Sequence, residues 1–323
     1  MSIAIGHHPR TRPLTRDEMM DELIAPGDYF GTTGGKTNGV WHFDGTRAVR
    51  VGVPNPDHRS MVNATDQASL RKALSEMMMF AGHDFTIHRM SLPPGAYHPR
   101  IARPSDQHPE AGLGSFPGNA QVTEALVISL NQMRSLMQML ETVFQVVHPD
   151  ATNMDCYGAA IRNLLILACT ECETQWRAVL AENGNIRERY TTNDYVKILP
   201  VMRLDEYSVR LQRWPWLPTI SPFQGWEATK PTKSLRWYDD YNATKHDRES
   251  NFNRATMRSA IEAVCAAWVM IAASYGVHGI HHFEDVNRFI IQDRAPRWRY
   301  SDVYTYPYTG HHEMAGPIAY RFD

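Results

Sequence analysis

Three stretches of the chain repeat apolar residues at helical spacing, and they organise the rest. From about residue 120 to 147, Leu126, Leu130, Met133, Met137, Leu140, Phe144 and Val147 fall three or four apart, and Pro149 stops the pattern. From about 157 to 182, Ile161, Leu164, Leu165, Ala168, Cys172, Trp176 and Val179 form a second stripe, ended by Asn183-Gly184. From about 252 to 275 the stripe is Met257, Ile261, Val264, Trp268, Ile271 and Tyr275, with Ser250 or Asn251 as N-cap and Gly276 at the end. Three such faces must bury one another, which predicts a helical bundle.

Residues 1–118 lack a long period and are punctuated by Gly and Pro. Val40–Phe43 and Thr46–Val51 around Asp44-Gly45 predict a hairpin with a two-residue turn. One helix is expected from about 66 to 80, through Leu70, Ala73, Leu74, Met77 and Phe80. The prolines from Pro93 to Pro117 mark a connection and a domain boundary. Between the second and third long helices lies an insert, about 186–232, in which Glu206–Trp214 alternates as a strand with Tyr207, Val209 and Leu211 inward. The expected fold is therefore mainly α. It comprises a mixed α/β N-terminal region (1–118), a helical domain with a β-containing insert (119–290) and an irregular aromatic tail (291–323).

The 323 residues carry a formal charge of −2, so composition offers no global signature of nucleic-acid binding, and any such role must rest on a local patch. The apolar run Ala263–Ala273 is too short to span a bilayer, and no membrane association is expected. The first residues lack the plan of a signal peptide, and the four cysteines lie in or near apolar helical stretches. A cytoplasmic, reduced protein is the expectation.

Several motifs do not survive inspection. Gly31-Thr-Thr-Gly34-Gly35-Lys36-Thr37 resembles a phosphate loop, but Phe30 stands where its first glycine belongs and no helix follows the lysine. Cys169-Thr-Glu-Cys172 has redox or half-zinc spacing, yet lies mid-helix with no second pair, and two buried thiols are expected. His278, His281, His282 and Glu284, and likewise His311, His312 and Glu313, fall where glycine breaks regular structure, and solvated histidines are the default. No metal or cofactor is expected.

Trp237-Tyr-Asp-Asp-Tyr241-Asn242-Ala-Thr-Lys245-His246-Asp-Arg248 is the densest chemistry in the chain. His246 can take or give a proton near neutrality. Lys245 and Arg248 can hold a phosphate, and Trp237 and Tyr241 offer faces for a base. Glu171, near the edge of the second apolar stripe, needs a partner, either an arginine of a neighbouring helix or His246 or Arg248. On residue chemistry alone a polar inter-helix junction, with aromatics covering the bundle end, fits the stretch slightly better than a site does.

Residues 157–173 and the stretch Trp237–Arg248 leading into the third long helix resemble the HEPN superfamily, the higher-eukaryote and prokaryote nucleotide-binding helical domains, over about half the chain. The resemblance implies a metal-independent RNA endonuclease, with a phage-defence or toxin-like role. It also implies a homodimer that brings two copies of the motif together. Residue by residue, His246 takes the histidine position and Asn242 the polar one. The arginine position falls on Tyr241, so Arg248, two residues beyond His246, would have to supply the positive charge. The alternative it allows is a non-catalytic module for dimerisation or for nucleotide or RNA binding.

Overall fold

The computed structural model describes residues 20–33, 40–53, 56–77, 84–103, 120–280, 286, 288–305 and 315–322. It is mixed, 46% helical and 13% strand, and this overturns the expectation of a mainly α protein. The difference lies in the first third of the chain. Strands β1 (Tyr29–Thr33), β2 (Val40–Phe43), β3 (Arg47–Arg50), β4 (Met61–Asn63) and β5 (Thr86–Arg89) form one antiparallel sheet in the order β4-β3-β2-β1-β5. Strands this short show little period of their own. The pairing of β1 with β5 joins Phe30 to Arg89 across most of the unit, and no local pattern announces it.

The hairpin between β2 and β3 is present with its turn shifted by one residue. Asp44 N–H donates to the Arg47 carbonyl, and the loop is Gly45-Thr46. Gly45 has φ +94°, the left-handed region that glycine occupies without strain. The Asp44 carboxylate accepts from the N–H groups of Thr46 and Arg47 and from the Thr46 hydroxyl, which holds its carboxyl well below the usual range. Helix α1 (Gln67–Glu76) begins at Asp66 in a reciprocal capping box with Ser69, and Leu70 and Leu74 sit in the core of the sheet unit beside Phe30, Trp41, Phe43 and Ile87. Residues 297–305 belong to the same compact unit. Tyr300 lies so close to Gly31 that a Cβ there would overlap the ring, which makes glycine obligatory at that point of β1.

The second unit spans 98–103, 115–296 and 317–323. Its elements are α2 (Ala120–Val146), α3 (Ala159–Glu182), α4 (Thr192–Tyr195), α5 (Ile198–Met202), β6 (Ser208–Leu211), α6 (Arg236–His246), α7 (Arg248–Asn251), α8 (Met257–Tyr275), α9 (Val277–Ile280) and β7 (Ile290–Arg294). The three long helices lie where their stripes predict. The third differs at its start, because Thr256, not Ser250 or Asn251, caps it through Ser259 N–H. Helix α8 packs against α2, α3 and α6, and every residue in it except Arg258 and Glu262 is buried. By length and composition α8 could cross a membrane, but 89% of that window is buried, as in the core helix of a soluble protein. The insert contributes β6, with Tyr207, Val209 and Leu211 buried as expected, paired to β7 from near the end of the unit.

An aromatic cluster closes one side of this core. Trp176 of α3 is fully buried and surrounded by Tyr195, Phe223, Trp226, Trp237 and Tyr238. Its indole N–H has no acceptor, so its contribution is packing alone. Trp176→Ala is expected to lower the stability of this unit by about 3–5 kcal/mol, and Trp176→Phe by less. Chemical denaturation of the three proteins tests this, and equal midpoints for wild type and Trp176→Ala would refute it.

Candidate functional site

The stretch expected to precede a helix is itself one. In α6, Trp237, Tyr238, Tyr241 and Thr244 form the buried face, while Lys245 and His246 occupy the last turn, where positive charge suits the helix dipole. Two polar ties fix α6 to its neighbours. Ser259 Oγ donates to Asp240 Oδ2 at 2.6 Å, and Arg254 Nε donates to Asp240 Oδ1 at 3.0 Å. On the other side, Tyr238 Oη donates to Glu173 Oε1 of α3 at 2.7 Å.

The structure divides the predicted site residues into two groups. Trp237 is 1% exposed, donates from Nε1 to the Pro222 carbonyl at 2.8 Å and packs in the aromatic cluster, so it offers no face to a base. Tyr241 is also 1% exposed. Its hydroxyl accepts from Lys245 Nζ at 2.8 Å, which tethers the ammonium one turn further along the helix. Asn242 is half-buried and donates from Nδ2 to the Tyr238 carbonyl of its own helix. Lys245, His246 and Arg248 are exposed at the C-terminal end of α6 and the start of α7. Neither His246 nor Arg248 makes a hydrogen bond or ion pair among the described residues, so both side chains can turn to a ligand.

Glu171 does not join them. It is buried on α3, where its carboxylate accepts from Gln175 Nε2 at 2.7 Å. Gln175 in turn bonds Ser129 Oγ and accepts from Arg100 Nη1, so the partner set is structural. Burial pushes the Glu171 carboxyl above its ordinary value, with the Gln175 hydrogen bond and the Arg100 charge pulling it back.

The acid facing α6 is instead Glu173, a residue whose spacing put it away from the apolar stripe. Its Oε2 accepts from Arg177 Nη2 at 3.0 Å, and Arg177 Nε donates to Tyr195 Oη at 3.0 Å. At helical spacing Glu173 and Arg177 both fall toward the side of α3 opposite the apolar stripe. Nothing local revealed that Tyr238 would cover the glutamate. The hydroxyls of Tyr238 and Tyr241 are pushed up, mainly by burial, and remain protonated near neutrality. Hydrogen bonding to Tyr241 raises Lys245, which keeps its charge.

The cysteines are all free; Cys169 and Cys172 are fully buried, and burial raises both thiols, so they pack as small apolar side chains. Among the described residues no group of three or more His, Cys, Asp or Glu is placed to hold a metal. The lysine end of the glycine-rich loop and the histidine groups at 281–282 and 311–312 lie outside the described residues. Comparison with family models, curated proteins and solved structures returns no match for this chain.

Chemically, the end of α6 presents an ammonium, an imidazole and a guanidinium, all exposed and all able to donate hydrogen bonds to an anion. The Glu171 network makes a separate prediction. Because burial raises its folded-state pKa, ionised Glu171 costs stability above its ordinary value of 4.5 and none well below it. Glu171→Gln keeps an acceptor for Gln175, so it is expected to be more stable than wild type at pH 7, with the difference vanishing below about pH 4. Denaturant unfolding across that range checks it, and a destabilised variant at pH 7 would contradict it.

Proposed function

We propose that the exposed end of α6 is a phosphate-binding surface for RNA, and that His246 makes it a metal-independent endonuclease of the HEPN type, acting as a homodimer in the cytoplasm. The observation that carries this reading is the grouping of Lys245, His246 and Arg248, exposed and adjacent, with His246 and Arg248 lacking any partner among the described residues. The tether from Tyr241 supports it further. Tyrosine stands where the family carries arginine, and its hydroxyl holds the Lys245 ammonium at that position.

In the proposed reaction His246 takes the proton of a ribose 2′-hydroxyl. The 2′-oxygen attacks the adjacent phosphorus, the bond to the 5′-oxygen breaks, and the leaving oxygen receives a proton from the second copy of His246 or from water. The products are a 2′,3′-cyclic phosphate and a 5′-hydroxyl. Lys245 and Arg248 offset the charge that builds on the phosphoryl oxygens. Four free cysteines fit a reducing compartment. A phage-defence or toxin-like role follows if the cleaved RNA is one the cell needs.

A second reading is binding without cleavage, and two observations favour it: Tyr241 is buried and the Asn242 amide is engaged by its own helix. One experiment separates the two. Purified protein incubated with structured RNA in excess chelator is expected to yield cyclic-phosphate ends, and His246→Ala to slow this by about 10²-fold or more. Equal cleavage by both proteins would refute the nuclease. If neither cuts, but Lys245→Ala and Arg248→Ala each weaken RNA binding and lower its salt slope by about one, the binding reading holds. Loss of wild-type cleavage on adding chelator would point to metal chemistry and overturn a mechanism driven by His246 alone.

A further inference from the structure

The opposite end of α6 opens on a cleft of about 440 Å³, within the range of pockets that hold organic small molecules. Apolar side chains of Leu217, Ile220 and Ile261 form part of its wall. Three charged groups line it as well: Arg236 at the start of α6, and Arg258 and Glu262 one turn apart on α8. These last two are the only residues of α8 that are not buried. A helix apolar on every other face thus carries its two charges into one concavity.

None of the three side chains is hydrogen-bonded to its neighbours among the described residues. Neither guanidinium makes a hydrogen bond there. The nearest acid to Arg258 is Asp155 at 3.7 Å, and the nearest to Arg236 is Asp240 at 3.9 Å, beyond hydrogen-bond length. Asp240 is already held by Arg254 and Ser259. The Glu262 carboxylate has neither a hydrogen bond nor an ion pair among the described residues. Burial pushes it above its ordinary value, while the charges of Arg236 and Arg258 pull it back. Helix α6 also starts without a side-chain cap at Leu235, and Leu235, Arg236 and Trp237 at that start line the same cleft. The ion pairs of Arg236 and Arg258 are long and Glu262 has none, so all three groups keep hydrogen-bonding capacity at the edge of the open volume.

We infer that this cleft binds a small amphoteric ligand, one with an acid group for Arg236 and Arg258, an N–H or ammonium group for Glu262, and a carbon body against Leu217, Ile220 and Ile261. A nucleoside monophosphate with an amino-bearing base and an aromatic amino acid both have that chemistry. The site is independent of the phosphate surface at His246, which lies one length of α6 away, about 16 Å for its 11 residues.

The test is titration calorimetry of the full chain with guanosine 5′-monophosphate, with L-tryptophan and with inorganic phosphate, up to millimolar concentration. Binding of one organic probe, weakened at least about tenfold in Arg236→Gln/Arg258→Gln and again in Glu262→Gln, is the expected result, and the probe that binds identifies the source of the chemistry. All three positions reach solvent, and thermal unfolding confirms that the variants fold. His246→Ala should bind the probe as wild type does, so failure of the nuclease leaves this result untouched. The inference is overturned if neither organic probe binds. It is also overturned if the variants bind as wild type does, or if phosphate binds as tightly as the nucleotide.

Discussion

The second unit depends on one constraint, that α8 must be covered everywhere except at Arg258 and Glu262. Beyond Glu262 its sequence alternates alanine with Val, Ile, Met and Trp and presents no polar face, so it folds only when α2, α3 and α6 surround it. Alanines on a central helix let neighbouring backbones approach closely, and the larger side chains then fill the gaps between them. The hydrophobic gain of burying such a helix exceeds what its own helical propensity supplies, so its position decides the position of everything docked on it.

Helix α6 shows how that cover was made specific. Its aromatic face, Trp237, Tyr238 and Tyr241, enters the cluster around Trp176. Apolar packing alone would allow such a helix to slide or rotate. The Asp240 contacts to Ser259 and Arg254, and the Tyr238 contact to Glu173, hold it in one register. With α6 locked, its two ends face different solvent regions with different chemistry. One end carries Lys245, His246 and Arg248 outward; the other borders the cleft with Arg236 and Glu262.

The same arrangement separates framing residues from those free to act. Trp237 and Tyr241 are among the largest fully buried side chains in the protein, and their aromatic faces serve the core. Of the polar groups in the stretch, Asn242 is turned onto its own helix and Lys245 is guided by Tyr241. His246 and Arg248 remain. A site built on the last turn of a rigid helix positions its groups better than one on a loop of similar composition.

How much of this was legible depends on the range of the interaction involved. The apolar spacing of residues 120–147, 157–182 and 252–275 determined three long helices within a few residues of their ends, because that period is set by the helix itself. Asp44-Gly45 marked a hairpin, and the Cys169 and Cys172 positions told of buried thiols. Helix α6 was not legible, since its inward face mixes aromatics with Asp240 and Thr244 and reads as polar until Ser259 and Arg254 arrive to satisfy it. The five-stranded sheet was missed for a related reason: its strands are three to five residues long, and β5 finds β1 only through folding. Glu173, not Glu171, faces α6 because of how α3 is rotated against its neighbours, which no single helix encodes. The sequence by itself determined where the three long helices lie and which residue types could carry chemistry. The tertiary structure alone decided which of them meet, because burial and partnership arise between segments distant in the chain.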